Sequence, residues 1–554
     1  MSERSGGLDP ADLAIVWSRL IAISDQMWLT LRRTAFSPII ATALDFGCGL
    51  LAANGGQLAM GAVGMASFNL ALPTLARDLL ARYAGGIEPG DVFIGNDPWL
   101  CIGHLDDVAV ITPVFDGARL VAFVGTVAHQ ADIGGGLSHR RAREVYEEGV
   151  FIPITKLYAH GERNETMFGQ LRANVRTPDL VLGDIEAMVG ANEIGAGRLL
   201  ALMHEYELVD VEALAAELQG RSERAMREII SALPDGTYRS EGLVDGVEAP
   251  VRVKVVIRVA GDEIFVDYPD APPEFPYGGM NVTLSYTTVN THYLLECVLA
   301  PHLPHNEGSI QPLHVSAPEG SVLACRFPAS VGERHTFTTR VSSIVLAALA
   351  QIAPERSLAG YGTNQGMQAF GRHPGGAFYS VGMFAGGGRG GAAGRDGIGG
   401  FIYTSGAASV PVEFFEQAAP ILVTERQWQA DSAGPGEFRG GMGQRISLRR
   451  LPGHDLPVGI RFTPSRRQDG APGLFGGSPG SLADATWNGR PVTPDSDLGR
   501  DGLATIRSDD DVFGYHVSSG GGFGDPHARA QDAVERDLRL GLVTPEGARR
   551  HLRE

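Results

Sequence analysis

Glycine is the feature that most constrains how this chain can fold. The sequence has 74 glycines in 554 residues, and many are grouped in three segments, 386–400, 434–443 and 520–524. Because glycine disfavours helix interiors and permits turns and close backbone approaches, such clusters argue against a helical bundle. They predict an α+β class: a multidomain, glycine-rich mixed fold with antiparallel hairpins and helices. Segment 386–400, which contains Arg389 and Arg395, is interpreted as a flexible or tightly turned loop.

The length of the chain requires more than one hydrophobic core. Shifts in composition along the sequence suggest four segments. They are an N-terminal domain (1–234), a middle α+β domain (235–354), a glycine-rich β-dominated domain (355–510) and a C-terminal helical tail (511–554).

Charge and cysteine content exclude several classes of protein. The formal net charge is -18, whereas nucleic acids and anionic membrane surfaces require a positive footprint. The four cysteines form no Cys-x-x-Cys pair, which favours a reducing cytoplasm over a disulfide framework. No apolar run is long enough for a transmembrane helix. We therefore expect a cytoplasmic protein that binds neither nucleic acid nor membrane.

Hydrophobic periodicity predicts several helices and hairpins. Residues 11–35 fit an amphipathic helix that Asp9 could cap, with Pro10 in its first turn. Hairpins are predicted at 44–60 and at 251–268. Further helices are predicted after residue 60, through Leu75, Leu79 and Leu80, and over 182–230, 288–299, 339–352, 530–540 and 545–552.

The segment 91–127 is the most informative part of the sequence. Residues 91–94 fit a buried strand, and two apolar runs, 108–114 and 120–127, are joined by Asp116-Gly117. His104 and Asp107 precede the first run, and His129 follows the second. Because the open ends of an antiparallel hairpin lie together, these three side chains could share one site.

Two imidazoles and a carboxylate form a common ligand set for Zn²⁺, Mn²⁺ or Fe²⁺. The alternative is that His104 and His129 cap strand ends by hydrogen bonding. His139 lies beyond a run of three glycines and is interpreted as solvated, which makes it a control for metal binding. Other polar candidates near the predicted site are Asn96, Asp97, Asp106 and Asp132.

Other motifs favour no further chemistry, and the catalytic residues stay unknown. The segment 520–525 lacks the Gly-Lys-Ser/Thr ending of a phosphate loop. Cys101 could be a reactive thiol or a buried inert one. Arg439 could hold an anionic intermediate or form a salt bridge between domains.

Several ordered motifs resemble those of the hydantoinase B/oxoprolinase family, and the resemblance runs through nearly the whole chain. The most specific are Gly95–Leu100 with Gly103–Asp107, and His129–Gly135. Further matches are Arg33–Pro38, Leu44–Phe46, Glu147–Gly149, Asn174–Arg176, Ala317–Gly320, Asp431–Gly434, Arg439–Gly443 and Gly520–Pro526.

The resemblance implies a metal-binding subunit that works with a separate or fused ATP-binding partner of the hydantoinase A type in a hetero-oligomer. Such pairs open cyclic amides, namely hydantoins, 5-oxoproline or lactams, after ATP phosphorylates a carbonyl-derived oxygen. The family's metal ligands fall on His104, Asp107 and His129, within the N-terminal domain. Asp45 is implied as the fourth ligand, and ATP is expected on the partner.

This chain departs from the family pattern close to the implied ligands. Cys101-Ile102-Gly103 replaces the usual Gly-Gly-Thr, Gln130 replaces the second histidine of a pair, and Thr42 replaces a glutamate. A histidine common around positions 64–68 is also missing. The ligands themselves are retained, so the changes bear on the substrate more than on the metal.

Three functions are compatible with the sequence. The first is ATP-dependent hydrolysis of a cyclic amide by the metal-binding subunit. The second is a subunit of an ATP-dependent ketone carboxylase, which a requirement for bicarbonate would distinguish. The third is a scaffold whose metal only stabilises the fold, and a closed site with four protein ligands would favour it.

Overall fold

Helices and antiparallel sheets make up the chain. The computed structural model describes residues 9–549 except 102, 405, 463, 464, 494 and 495. The helices are α1 Pro10–Thr34, α2 Pro38–Ala41, α3 Ala66–Arg82, α4 Glu165–Asn174, α5 Pro178–Glu205, α6 Glu212–Ser231, α7 Leu284–Leu299, α8 Arg334–Leu349, α9 Val412–Ala418, α10 Asp497–Asp501, α11 Gln531–Arg539 and α12 Pro545–Ala548.

The strands form four sheets. They are β1 Phe46–Ala52, β2 Gln57–Met60, β3 Val92–Gly95, β4 Asp107–Asp116, β5 Arg119–His129, β6 Thr155–Ala159, β7 Glu162–Arg163, β8 Gly236–Val244, β9 Val251–Ala260, β10 Glu263–Asp267, β11 Leu313–Ser316, β12 Gln365–Arg372, β13 Phe378–Ala385, β14 Ile421–Trp428, β15 Gln444–Arg450, β16 Val458–Phe462, β17 Asp484–Trp487, β18 Arg490–Pro491, β19 Leu503–Ile506 and β20 Val512–Val517. Among the described pairs of strands, only β10 and β11 run parallel. The predicted α+β class is therefore confirmed.

The first helix follows directly from the sequence. Asp9 accepts hydrogen bonds from the backbone N–H groups of Ala11 and Asp12, both at 2.8 Å, and Pro10 occupies the first helical position. Leu13, Val16 and the other apolar residues on the same stripe are buried. The predicted helix, its cap and its buried face are confirmed.

Helices cover both faces of the N-terminal sheet, which has the strand order β2-β1-β5-β4-β3-β6-β7. Val108 and Val110 of β4 pack in one core with residues of α1 and α5. Ala109 and Ile111 point the other way, into a core shared with α3. Since both faces are covered, these strands form continuous apolar runs rather than alternating patterns.

The predicted hairpins are present. The β4–β5 hairpin extends one or two residues beyond the predicted ends, so that Asp107 opens β4, His129 closes β5, and the two residues pair directly. The β9–β10 hairpin forms part of the middle sheet, whose order is β11-β10-β9-β8.

The helix predicted over 339–352 begins five residues earlier, at Arg334. Its first turn is polar, so the apolar pattern starts only later in the sequence. This extra turn carries the charged residues Glu333 to His335 towards the N-terminal sheet. Met226 and Ile230 of α6 pack in the core of the middle segment, and we retain the division of the chain near residue 235 as a proposal.

The C-terminal part contains two further sheets, with the orders β13-β12-β16-β19 and β14-β15-β20-β17-β18. The segment 511–554, predicted as a helical tail, contributes β20 to the interior of the second sheet. Its helices are α11 and α12, and residues 550–554 lie outside the described part. Within that part, no helix has both the length and the apolar character of a membrane span.

The three glycine clusters pack against one another. Gly441 N–H donates to the carbonyl of Arg389 at 2.7 Å, and Gly520 N–H donates to that of Gly441 at 3.0 Å. A Cβ atom built on Gly388 would lie 1.9 Å from the carbonyl oxygen of Gly441. Segment 386–400 is therefore a tightly packed part of a glycine-rich layer, and the alternative of a flexible loop is wrong.

Candidate metal centre

The β4–β5 hairpin brings together the three residues that the sequence singles out. Asp107 and His129 face each other as a cross-strand pair, and His104 lies in the loop that leads into β4. The side chain of Asn96 holds this loop in place through hydrogen bonds. Its amide donates to the carbonyls of Leu105 at 2.7 Å and Val150 at 2.9 Å, and its oxygen accepts from Ile152 N–H at 2.6 Å.

The donor atoms of the three residues lie within 4.8 Å of one another. Asp107 Oδ1 is 2.9 Å from His104 Nε2 and 3.0 Å from His129 Nδ1. The side chains of His104 and Asp107 are almost fully buried, whereas that of His129 is 23% exposed. The prediction that an antiparallel hairpin juxtaposes these residues is confirmed.

The ring orientation of His104 fits a metal ligand. Its Nδ1 lies 3.3 Å from the carbonyl oxygen of Gly332 and 3.4 Å from Asp106 Oδ2, whereas its Nε2 faces Asp107 Oδ1 at 2.9 Å. Nε2 is buried, so the nitrogen that points at the carboxylate is shielded from bulk water. A buried imidazole nitrogen and a carboxylate oxygen this close to each other suit a shared cation.

Arg334 completes the surroundings of Asp107. Its Nη2 is 2.6 Å from Asp107 Oδ2, and its guanidinium lies over the ring of Tyr286, 4.0 Å from the centroid. Burial opposes ionisation of Asp107, but the charges of His104 and Arg334 outweigh it and hold the pKa well below its usual range. Asp107 therefore keeps one oxygen for Arg334 and the other for the two imidazoles.

Nearby charges also determine the pKa of His129, the third residue of the cluster. Burial disfavours the imidazolium form of His129, but its hydrogen bond to Asp107 and the charges of Asp106 and Asp45 prevail and raise its pKa to about 9. With this pKa, His129 is protonated near neutral pH when no metal is bound, and the proton occupies a position that a metal ion would take. A divalent cation would displace that proton.

Asp45, implied as the fourth ligand, lines the same cavity. The group of donor atoms within 4.8 Å of one another does not include its carboxylate. Burial, with the nearby charge of Asp107, raises the pKa of Asp45 to about 6. Its role as a ligand stays a proposal.

The cluster faces a cavity of about 190 Å³. Three parts of the chain line it: the N-terminal sheet, the first turn of α8, and strands β12, β13 and β16. The apolar residues of the wall are Ile39, Met65, Phe68, Tyr286, Met367, Val381 and Phe384, and the polar ones include Thr336, Asn364 and Gln368. Three potential ligands beside a cavity match the arrangement of a catalytic metal site more closely than that of a closed structural site.

Several of the polar candidates near the site have structural roles. Asp97 accepts a hydrogen bond from Trp99 N–H at 2.9 Å, as a turn residue does, and Asp132 pairs with Arg176 at 2.7 Å. Cys101 is buried. Arg439 forms a buried salt bridge at 2.9 Å with Asp537 of α11, so the salt-bridge interpretation of this residue holds.

The interpretation of His139 as solvated is wrong. Its exposed fraction is only 4%, because Gly332 and Gly279 pack directly against its ring and Cβ. Burial and the positive charge of Arg461 lower its pKa. His139 therefore belongs to the interior near the centre and cannot serve as a neutral control.

Sequence reasoning missed the residues that α8 brings to the site. Glu333 pairs with Arg461 at 2.6 Å, and Arg334 holds Asp107. The signal available was the Glu-Arg-His triplet at 333–335, immediately before an apolar helical pattern. Glu148, in the Glu147–Gly149 motif, holds the turn before α8 by accepting hydrogen bonds from the backbone N–H groups of Val331 and Gly332 at 2.8–3.0 Å.

Comparison with known proteins agrees with the motifs. Residues 9–526 match the model of the Hydantoinase B/oxoprolinase family. The chain is 29% identical to the B component of a putative D-/L-hydantoinase from Pseudomonas sp. (strain NS671), over 98% of this chain and 94% of that protein.

Two solved structures share the fold. The crystal structure of ATP-dependent caprolactamase from Pseudomonas jessenii superposes with a TM-score of 0.88 and 26% identity, covering 98% of this chain and 96% of that one. A nucleotide-free acetone carboxylase superposes with a TM-score of 0.87, over 98% of this chain and 79% of that one, but at 19% identity it shows the fold alone. The match to the family model over nearly the whole length establishes that this chain belongs to the hydantoinase B/oxoprolinase family.

Proposed function

We propose that this chain is the metal-binding subunit of an ATP-dependent enzyme that hydrolyses a cyclic amide, acting in a hetero-oligomer with a hydantoinase A-type ATP-binding subunit. The observation that supports this most directly is the cluster of His104, Asp107 and His129 at the wall of a cavity. The relatives named as one component of a hydantoinase and as a caprolactamase support both the substrate class and the existence of a partner subunit.

The ligand set favours one divalent Zn, Mn or Fe ion, with Asp45 as a further ligand. Such an ion would polarise a ring carbonyl or lower the pKa of a water molecule. Asp107 supplies negative charge, since Arg334 keeps it ionised and oriented. His104 turns Nε2 towards Asp107, while its Nδ1 lies 3.3 Å from the carbonyl oxygen of Gly332.

The remaining walls of the cavity suit a small ring with an apolar edge. Met367, Val381 and Phe384 present hydrocarbon on the side formed by β12 and β13. Asn364 and Gln368 offer amide groups on the same side. A cyclic amide has both parts, an apolar ring edge and a polar amide, and could contact both kinds of wall.

Metal analysis of the purified chain is the first test. We expect about one first-row transition metal ion per chain, because the described residues contain one cluster of nitrogen and oxygen donors. His104→Ala should remove most of the metal, and Asp107→Asn should weaken its binding although size and shape are kept. His204→Ala is the matched control, since its side chain is 63% exposed and lies on α5. Full metal occupancy in both site variants would refute the assignment.

Turnover is the second test. The chain should be purified with the product of its neighbouring gene, and ATP hydrolysis measured with hydantoins, 5-oxoproline, lactams and ketones, with and without bicarbonate. Stimulation by a cyclic amide without bicarbonate supports the proposal. Retained metal without stimulation by any compound would instead favour a scaffold.

The second candidate function is a subunit of an ATP-dependent ketone carboxylase. The similarity of fold to acetone carboxylase over 98% of this chain favours keeping it. The same assay distinguishes it, because ATP hydrolysis would then require a ketone and bicarbonate together.

A further inference from the structure

A second cavity, of about 280 Å³, borders the metal centre. Glu333 and Thr336, in and next to the first turn of α8, line both cavities. The two spaces therefore lie on either side of the same short stretch of chain. We call the second cavity the arginine cleft.

Arginine dominates the lining of this cleft. Arg140, Arg141, Arg340, Arg467 and Arg500 line it, and they come from four separate parts of the chain. This concentration of positive charge occurs in a chain whose formal net charge is -18. In a chain with a negative net charge, a local concentration of positive charge is a place where an anion can be held.

The carboxylates of the cleft already have partners. Asp245 lies 3.0 Å from Arg340, and Glu333 lies 2.6 Å from Arg461, which is outside the cleft. Glu248 accepts a hydrogen bond from Tyr277 at 3.0 Å.

Two of the remaining arginines share one acid. Asp501, next to the cleft, lies 3.1 Å from Arg141 Nε and 3.0 Å from Arg500 Nε.

Arg140 and Arg467 are the two arginines of the cleft that remain to be considered. Among the described residues, neither guanidinium has a carboxylate within salt-bridge distance, and Arg467 binds Asp245 only through its backbone N–H, at 3.2 Å. Nη1 of Arg140 is buried without a hydrogen-bond partner. Burial lowers the pKa of Arg140, and the charges of Arg467 and Arg141 add to this against the opposing charge of Glu333.

We infer that the arginine cleft is a binding site for a phosphate-type oxyanion. The planar guanidinium fork matches the oxygens of a phosphate group and binds them through paired, charge-assisted hydrogen bonds. An anion between Arg140 and Arg467 would satisfy donors that the protein leaves unpaired, and it would relieve the repulsion between these side chains.

Two sources share this chemistry: free inorganic phosphate and the phosphoryl group of a phosphorylated substrate. The second source, but not the oxyanion site itself, rests on the proposed function, in which ATP phosphorylates the substrate before the metal-binding subunit acts. The position of the cleft beside the metal cavity suits either one, since both arise in the same reaction.

Calorimetric titration of the full-length chain with inorganic phosphate, and separately with phenyl phosphate, tests the site. Arg140→Gln and Arg467→Gln should each weaken binding by roughly tenfold, which is the scale of one lost charge-assisted hydrogen bond. Arg198→Gln is the matched control. Arg198 is exposed on α5 and has no ion-pair partner in the described chain, so this variant removes the same charge away from the cleft.

Each outcome separates the possibilities. Tighter binding of phenyl phosphate would assign the cleft to a phosphorylated substrate, and tighter binding of inorganic phosphate to the free anion. No binding of either compound, or equal weakening by Arg198→Gln, would overturn the inference. His104→Ala should leave phosphate binding unchanged, so binding that this variant abolishes would place the anion at the metal and refute the cleft. Loss of metal or turnover alone would count only against the proposed function.

Discussion

Asp107 is the residue on which the contacts of the metal centre converge. One carboxylate oxygen faces the two imidazoles of His104 and His129, and the other binds Arg334. A carboxylate held in this way cannot rotate without losing one of its partners. Its orientation therefore depends on a residue that is no ligand itself.

Substitution of Arg334 tests this dependence. Arg334→Gln should weaken metal binding by about 10–100-fold, the usual range when a partner of a ligand is lost, although His104, Asp107 and His129 are unchanged. Affinity should be measured by competition with a chelating dye. Arg326→Gln is the control, because this exposed arginine pairs with Glu319 away from the centre. Equal affinity in wild type and Arg334→Gln would show that the pair is not needed to orient Asp107.

Glu148, like Arg334, affects the candidate metal centre indirectly, by holding a segment that contacts one of its residues. It is buried, and it holds the turn whose carbonyl, at Gly332, contacts His104. Burial raises its pKa to about 8, although the N–H donors of Gly332 and Val331 oppose this. A carboxyl that binds its proton more tightly in the folded state stabilises the fold fully below its unfolded pKa, and this contribution is lost as the pH rises to the folded value.

The stability that Glu148 contributes should therefore decline between about pH 4.5 and pH 8, by at most about 1.4 kcal/mol per pH unit. Urea unfolding of wild type and Glu148→Gln at pH 5, 7 and 9 measures it. The advantage of wild type over the variant should be greatest at pH 5 and should shrink towards pH 9. Glu147→Gln reports the effect of the same substitution at an exposed neighbour. A constant difference across the three pH values would contradict the assigned shift.

The sequence predicted that His104, Asp107 and His129 lie together, but it did not predict the residues that hold them in place, for a physical reason. His104, Asp107 and His129 lie within one hairpin, and the register of a hairpin follows from its apolar runs and its turn. Arg334 lies 227 positions from Asp107. No local pattern relates two residues so far apart, and the burial of His139 likewise depends on distant glycines.

At the scale of elements, helices and strands with a periodic pattern of apolar side chains could be predicted from the sequence. The packing of the glycine segments, which have no such pattern, could not. Apolar periodicity predicted α1 and the β4–β5 and β9–β10 hairpins. The start of α8 was missed because its first turn is polar. The glycine clusters offered no periodicity at all, so the sequence did not show that 386–400, 434–443 and 520–524 pack together.

Because the glycine layer is tightly packed, adding one methyl group to it should lower the stability of the protein markedly. Gly388→Ala should destabilise the protein by about 1–3 kcal/mol or more, since its Cβ would overlap the backbone of Gly441 and Gly520. Gly375→Ala is the control, because nothing lies within 4 Å of the corresponding Cβ. Thermal unfolding of both variants compares them. Equal midpoints would mean that the layer can open to admit a side chain.

At the scale of the whole molecule, the cavity beside the candidate metal centre lies where three parts of the chain meet. We expect that the isolated chain neither binds nor hydrolyses ATP, because its sequence lacks a phosphate-loop motif. Hydrolysis should begin only when the partner subunit and a substrate are added, as a coupled phosphate assay would show. Stoichiometric binding of ATP by the chain alone, seen in calorimetry, would contradict this.

The glycine layer also has a consequence for how genes of this kind can change. Every nonsynonymous single-nucleotide change in a glycine codon that does not stop translation introduces a side chain with a Cβ atom. At Gly388, Gly440 and Gly522 that atom would lie 1.9 Å from a carbonyl oxygen of another segment. Selection should therefore keep these positions invariant although none of them contacts the metal centre. Conservation of glycine at these positions would reflect the lack of room for a side chain between the backbones. It should not be interpreted as evidence of a catalytic role.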